Sequence, residues 1–290
     1  MTRHLSGLAG LAHEYDGFIV DLWGCVHDGL APYPGAIDCL RRLQAAGKRV
    51  VLLSNAPRRS RLAREQLRAM GLADNEYSAI LTSGEATRSA LIAPRSDPRL
   101  VGLGSVALHI GPPRDRSIFE DTGLALVDDP ARAGFVVVTG LPEDTGTDEP
   151  VGDAESLTPL LRDCVARGLL MICANPDIEI VRGGRRILCA GLIARRYELL
   201  GGRVVDFGKP YPEVYREVET MLAGIARARI LAVGDALATD IAGARAAGID
   251  SAWVLGGIHA EFLGGDTALA EREASGAGLH PVATVPALVW

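Results

Sequence analysis

Aromatic residues make up only 5% of this 290-residue chain. No apolar run reaches the ~18 residues that a membrane-spanning helix needs, which argues against a membrane partner. The shortage of aromatics, beside abundant Ala, Gly and Leu, favours helices packed on a parallel sheet over an all-β sandwich. Cysteine is scarce as well: five residues, at positions 25, 39, 164, 173 and 189, with no C-x-x-C pair. An odd, scattered set argues against a disulfide framework, and six dispersed histidines make a structural zinc site a poor reading. Reduced, buried thiols in a cytoplasmic protein are the expectation, and the first residues show no signal-like charged-then-apolar pattern. No Lys/Arg-rich run offsets the formal net charge of −6, so nucleic acid is not an expected partner. An anionic substrate would need positive charge placed locally.

What is present is ordinary for a globular protein: 48% hydrophobic and 23% charged residues, in a length that suits one large or two modest domains. The apolar run Phe18-Ile19-Val20 leads into Asp21-Leu22-Trp23-Gly24-Cys25-Val26-His27-Asp28-Gly29. A strand that stops at a carboxylate followed by glycines presents that acid at the carboxyl edge of a parallel sheet, where open α/β folds bind ligands. The pattern Ala36, Ile37, Leu40, Leu43 predicts a helix closed by Gly47, and Arg49-Val50-Val51-Leu52-Leu53 predicts a strand covered on both faces. A right-handed crossover makes the two strands parallel, so Asp21 and Ser54 emerge on the same edge.

From Ala93 to about Gly202 the texture changes. Prolines interrupt it, three short strands are predicted at 106–110, 125–127 and 135–138, and 141–153 reads as an acidic Gly/Pro/Thr loop. The expected organisation is therefore a core at 1–92, an inserted α/β domain at 93–202, and a return to the core at 203–290. In that return, Val204–Phe207 is predicted as a core strand before Gly208-Lys209-Pro210, and 229–233 as another before Gly234-Asp235. The first fifteen residues are predicted to hold a short helix carrying Leu5, Leu8 and Leu11, and Val282–Trp290 to pack back on the core.

Asp21, Ser54-Asn55, Lys209 and the pair Asp235/Asp240 thus converge. Each alone has a plainer use: Ser54 as a cap, Lys209 as a solvated surface charge, the two aspartates as helix-start residues. Together they suit phosphoryl transfer. Clustered carboxylates repel unless a cation sits among them, and oxygen-only ligands favour Mg²⁺. A hydroxyl, an amide and a lysine supply donors for the phosphate oxygens, and a carboxylate can form an aspartyl-phosphate.

Asp21-Leu-Trp-Gly-Cys-Val, Leu53-Ser54-Asn55, Gly208-Lys209-Pro210 and Gly234-Asp235-Ala-Leu-Ala-Thr239-Asp240 resemble, in order, the four motifs of the haloacid dehalogenase (HAD) superfamily. The insertion between the second and third, with Ala174-Asn175-Pro176-Asp177, resembles the class IIA cap of NagD-like and pyridoxal phosphate phosphatase-like hydrolases. The resemblance implies a doubly wound, Rossmann-like parallel-sheet core with an inserted α/β cap. It further implies Asp21 as nucleophile and Mg²⁺ ligand, with the Trp23 backbone carbonyl, Asp235 and Asp240 completing the metal site. Ser54, Asn55 and Lys209 would bind phosphate, and Asn175, Pro176 and Asp177 would lie at the cap–core junction near a small phosphorylated metabolite of the sugar phosphate, nucleotide or pyridoxal phosphate type. Caps of this class often mediate dimers, so a homodimer is an expectation by analogy.

One position departs from the family pattern. Two residues after the nucleophile, related phosphatases carry an Asp that protonates the leaving oxygen and then activates water; here that residue is Trp23. An indole donates a hydrogen bond but cannot shuttle a proton. Three readings stay open: a slow or leaving-group-restricted phosphatase, a stand-in from His27 or Asp28, and a phospholigand-binding or regulatory protein on the same scaffold. Arg182, Arg185, Arg186, Arg195 and Arg196 fit anion binding or plain solvated surface equally well.

Overall fold

The computed structural model describes residues 2–142 and 153–290, so the loop expected over 141–153 lies almost wholly outside the described residues. Among these, fourteen strands occur in chain order: β1 (Arg3–His4), β2 (Gly17–Asp21), β3 (Arg49–Ser54), β4 (Ala79–Thr82), β5 (Val106–Ile110), β6 (Ala125–Val127), β7 (Phe135–Val138), β8 (Leu170–Cys173), β9 (Glu179–Arg182), β10 (Arg185–Leu188), β11 (Arg203–Asp206), β12 (Ile230–Gly234), β13 (Asp250–Val254) and β14 (Ala283–Val285). Seven form an all-parallel core sheet in the order β1-β14-β13-β12-β2-β3-β4.

The core is α/β and doubly wound, and its strands divide their side chains by period two. Phe18, Val20, Val50 and Leu52 join one hydrophobic cluster with Leu40, Leu43 and Leu67 of the helices Ala36–Ala45 and Ser60–Ala69. Ile19, Val51 and Leu53 join a second on the opposite face, with Val214, Tyr215 and Val218 of the helix Pro212–Met221. Full burial of each such aliphatic or aromatic side chain is worth about 1.5–3 kcal/mol, which makes this sheet a rigid mount for its strand ends.

The inserted domain carries a second parallel sheet, ordered β11-β8-β7-β5-β6. Leu108, Ile110, Val136 and Val138 face its own cluster, with Leu161 and Tyr197. Ala107, Phe135, Val137 and Ile172 face the other way and are continuous with the core's second cluster. Cap and core therefore share buried apolar surface.

Two sequence expectations need correction, and one element is new. Arg203–Asp206 does not return to the core: it pairs in parallel with β8, Val204 opposite Met171, at the edge of the cap sheet. The run is apolar enough for either sheet, and the helix Ala190–Leu199 leads the chain back to a parallel place beside β8. The crossing into the core thus comes later, at Gly208-Lys209-Pro210, rather than at residue 203. The leader is not a helix. It is β1, paired with β14, followed by a single 3₁₀ turn at Leu8–Gly10. Gly7 and Gly10 weaken a helix there, although Leu8 and Leu11 are fully buried. Finally, β9 and β10 form an antiparallel hairpin that the sequence reading does not include. Its two-residue turn, Gly183-Gly184, has φ of 52° and 78°, the left-handed conformations a tight hairpin turn requires.

Candidate active site

The carboxyl ends of β2, β3 and β12 place Asp21, Ser54 and Asp235 at one edge of the core sheet, beneath the cap. Between the two domains lies a cavity of about 520 Å³, lined by Asp21, Trp23, Ser54, Asn55, Asn175, Asp177, Lys209, Asp235 and Asp240. Pro176 does not line it and packs beside Gly208.

Lys209 is the hub. Its ammonium is buried, contacts the Asp21 carboxylate and lies 2.7 Å from Asp240 Oδ1. The lysine arrives from the last cap strand, so the same segment that joins the domains also delivers the cation. Burial alone would lower its pKa, and Asp21 and Asp240 outweigh that, holding it well above the ordinary lysine range. Three carboxylates nevertheless face one ammonium. Burial, with Asp240 and Asp235 nearby, pushes Asp21 well above the usual carboxylate range despite Lys209. Burial and then Asp240 push Asp235 to about 7.

This excess of buried negative charge fits a divalent cation. Ligand atoms of Asp21, Asp235 and Cys25 lie within 4.8 Å of one another. Asp240 is not in that group: its carboxylate is taken up by Lys209 and by the Ala236 N–H at 3.1 Å. The Trp23 carbonyl accepts no backbone hydrogen bond among the described residues and is free to face an ion. Cys25, expected from sequence to be a buried structural thiol, lies within this cluster. Burial, reinforced by the neighbouring Asp235 and Asp21, holds it well above its ordinary pKa, so it stays a neutral thiol and the donor set stays one of oxygens. Asp235 is fixed from behind: its backbone carbonyl accepts the buried Trp253 indole N–H at 2.8 Å, and its carboxylate accepts the Ile258 N–H. Gly24 and Gly257 approach that carboxylate so closely that a Cβ at either would collide with it. Gly257→Ala is therefore expected to weaken divalent-ion binding at least tenfold while leaving the fold intact, as read by metal titration calorimetry beside a thermal melt.

Ser54 does cap the turn after it, accepting the Ala56 N–H at 3.2 Å, and its own O–H remains available to the cavity. Asn55 is used differently from the expectation. Its Oδ1 accepts the Lys209 N–H at 2.8 Å, and its Nδ2 donates to the Lys209 carbonyl at 3.0 Å and to Asp177 Oδ1 at 2.8 Å. The side-chain amide thus staples core to cap and has no donor left for phosphate. Asn175 Oδ1 accepts the Asp177 N–H at 3.1 Å, closing the Asn-Pro-Asp turn.

Neither neighbour in the loop is poised to replace the missing acid. His27 is buried, its Nδ1 accepts the Gly29 N–H at 3.0 Å, and burial lowers its pKa to about 4. Asp28 Oδ1 accepts the N–H groups of Leu30 and Ala31 at 2.9 and 2.8 Å, and these bonds hold its pKa down. Trp23 itself lines the cavity and donates its indole N–H to the Val181 carbonyl on β9, at 2.7 Å. That contact is not legible in the sequence, because it depends on the β9–β10 hairpin.

Of the arginines, Arg195 pairs with Asp206 and Arg196 with Glu155, both at 2.6 Å, which makes them structural. Arg182 and Arg186 line the cavity, and Arg186 is engaged by Glu179. Arg58, which the sequence reading did not single out, also lines it and pairs with the buried Asp115 of the cap at 3.0 Å.

A family model described as haloacid dehalogenase-like hydrolase matches residues 18–125, and one described as HAD-hydrolase-like matches 206–280. Human chronophin is 30% identical over 254 residues, covering 83% of this chain and 81% of its own. The D-glycerol 3-phosphate phosphatase of Mycobacterium tuberculosis is 28% identical over 265 residues, covering 88% and 67%. Among solved structures, a haloacid dehalogenase-like hydrolase from Brucella suis superposes with a TM-score of 0.82 at 35% identity, covering 98% of this chain and 100% of that one.

Proposed function

The chain belongs to the haloacid dehalogenase-like hydrolases, in their class IIA branch, and from that premise we propose that it is a magnesium-dependent phosphomonoesterase acting on a small phosphorylated metabolite through an aspartyl-phosphate at Asp21. The observation that carries the reading is the buried Lys209 ammonium held between Asp21 and Asp240, with a carboxylate oxygen of Asp235 within 4.8 Å of one of Asp21. The glycerol phosphate phosphatases among its relatives support a compact substrate.

Asp21, Asp235 and the Trp23 carbonyl would hold the ion, whose charge when bound offsets repulsion between the nucleophile and a dianionic phosphate. Lys209 keeps Asp21 oriented and contributes positive charge where the equatorial oxygens gather it. Ser54 donates its hydroxyl to the same oxygens. The cap closes the cavity and excludes water from the first half-reaction.

Trp23 serves as wall and latch. Trp23→Phe keeps an aromatic surface but deletes the donor to Val181, leaving that carbonyl without its partner. The variant is expected to lose about 1–3 kcal/mol of stability and to raise KM more than it lowers kcat, as thermal melts and steady-state kinetics would register.

The reading is tested by measuring phosphate release from sugar phosphates, nucleotides, pyridoxal phosphate and glycerol phosphate, with Asp21→Asn beside the wild type. Equal rates for the two would remove Asp21 as nucleophile. The indole at position 23 favours a second reading, a phospholigand-binding protein with weakened catalysis. Thermal stabilisation by Mg²⁺ plus a phosphorylated ligand, without phosphate release from any of the panel, would select it.

A further inference from the structure

A phosphomonoesterase needs a proton for the leaving oxygen and a base for the attacking water, and position 23 supplies neither. In-line attack by Asp21 sends the leaving oxygen away from the core sheet and toward the cap. The missing group should therefore be sought on the cap side of the cavity.

Most carboxylates there are already committed. Asp21 and Asp240 face Lys209, Asp115 faces Arg58, Glu179 faces Arg186, and Asp28 holds its own loop. Asp177 differs. It is borne by the cap, lines the cavity and has no ion pair within contact among the described residues. One oxygen is fixed by the Asn55 amide at 2.8 Å, and its backbone N–H is fixed by Asn175, so the carboxyl is oriented while its second oxygen has no hydrogen-bond partner among the described residues.

We propose that Asp177 is the proton shuttle of this enzyme, standing in from the cap for the residue that Trp23 replaces. As the bond from Asp21 to phosphorus forms and the ester P–O bond breaks, the Asp177 carboxyl gives its proton to the departing alkoxide. Its carboxylate then takes a proton from the water whose oxygen attacks phosphorus. The Asp21–phosphorus bond breaks, inorganic phosphate leaves, and the carboxyl is again protonated. Around Asp177 stand Lys209, Asp240, Asp235 and the thiol of Cys189. Burial pushes its pKa to about 6, with Lys209 and the Asn55 bond opposing and Asp240 reinforcing the rise, so both protonation states are accessible near neutrality.

This inference rests on the phosphomonoesterase reading, and the two fail differently. The test is Asp177→Asn, which retains an oxygen to accept the Asn55 bond, assayed with glycerol phosphate and 4-nitrophenyl phosphate. With glycerol phosphate, kcat/KM should fall by ~10²–10⁴-fold. The wild-type decline in kcat/KM as pH rises through the Asp177 range should vanish in the variant. With 4-nitrophenyl phosphate, whose leaving group needs no proton, the variant should release about one equivalent of nitrophenolate per site in a burst before slow turnover, since only the water step still lacks its base. Asp177→Glu should restore continuous turnover. A variant that keeps the wild-type rate and pH profile overturns the shuttle, as does one that is slow on both substrates with no burst and an unchanged pH profile. Nitrophenolate release that is indifferent to Asp21→Asn overturns the parent reading together with this one.

Discussion

Asp21→Asn should abolish phosphate release, by ~10⁴-fold or more, without unfolding the protein. An amide at this position cannot attack phosphorus, and the neighbouring carboxylates are committed elsewhere, Asp240 to Lys209 and the Ala236 N–H and Asp235 to the Ile258 N–H. The stability sign is the opposite of what loss of a salt bridge suggests. Asp21's pKa is raised in the folded state, by burial first, so its contribution is fully present below the unfolded carboxylate value and is lost as pH rises through the folded one. Burying this carboxylate beside Asp240 and Asp235 therefore costs the metal-free wild type stability above the unfolded carboxylate value, and removing it should leave the melting temperature of the metal-free variant equal or higher at neutral pH. A melt in chelator and a phosphate-release assay check both halves. A variant that melts well below the wild type would show that the Lys209 contact outweighs the crowding.

Lys209→Met should be damaging in both respects. The ammonium is the only basic group in contact with Asp21 and Asp240 among the described residues, and all three are buried. Removing one partner of a buried ionic cluster and leaving the others uncompensated costs roughly 3–5 kcal/mol. Loss of its charge beside the phosphate should lower kcat by about 10²–10³-fold. Adding Asp21→Asn to Lys209→Met should recover part of the lost stability, because the two sites are in contact and couple. Denaturant titration of the four proteins in the cycle measures that coupling. Strict additivity would mean that Lys209 does not neutralise Asp21.

The parts of this fold legible in sequence are those fixed by periodicity and by strand ends. Phe18-Ile19-Val20 and Val50–Leu53 have no polar alternation because both sheet faces are covered, and each ends at a residue that lines the cavity. Less legible were elements decided by tertiary choice. Val204 and Val205 would suit either sheet, and only the crossover over the cap selects β8. The Asn55 amide looks like a phosphate donor until the lysine backbone and Asp177, 154 and 122 residues further along, arrive to occupy it. Trp23 reads as a lost acid, yet its positive role, a bond to Val181, depends on a hairpin whose only local signal is Gly183-Gly184.

That the Asp21 carboxylate itself forms the bond to phosphorus is tested most directly by acid-quenching the enzyme during turnover of 4-nitrophenyl phosphate, reducing with borohydride, and mapping the product by mass spectrometry. An aspartyl-phosphate is reduced to homoserine, and homoserine should appear at position 21 and be absent when substrate is omitted. Sustained phosphate release with position 21 recovered unmodified, or with the label on another residue, would contradict a covalent role for Asp21.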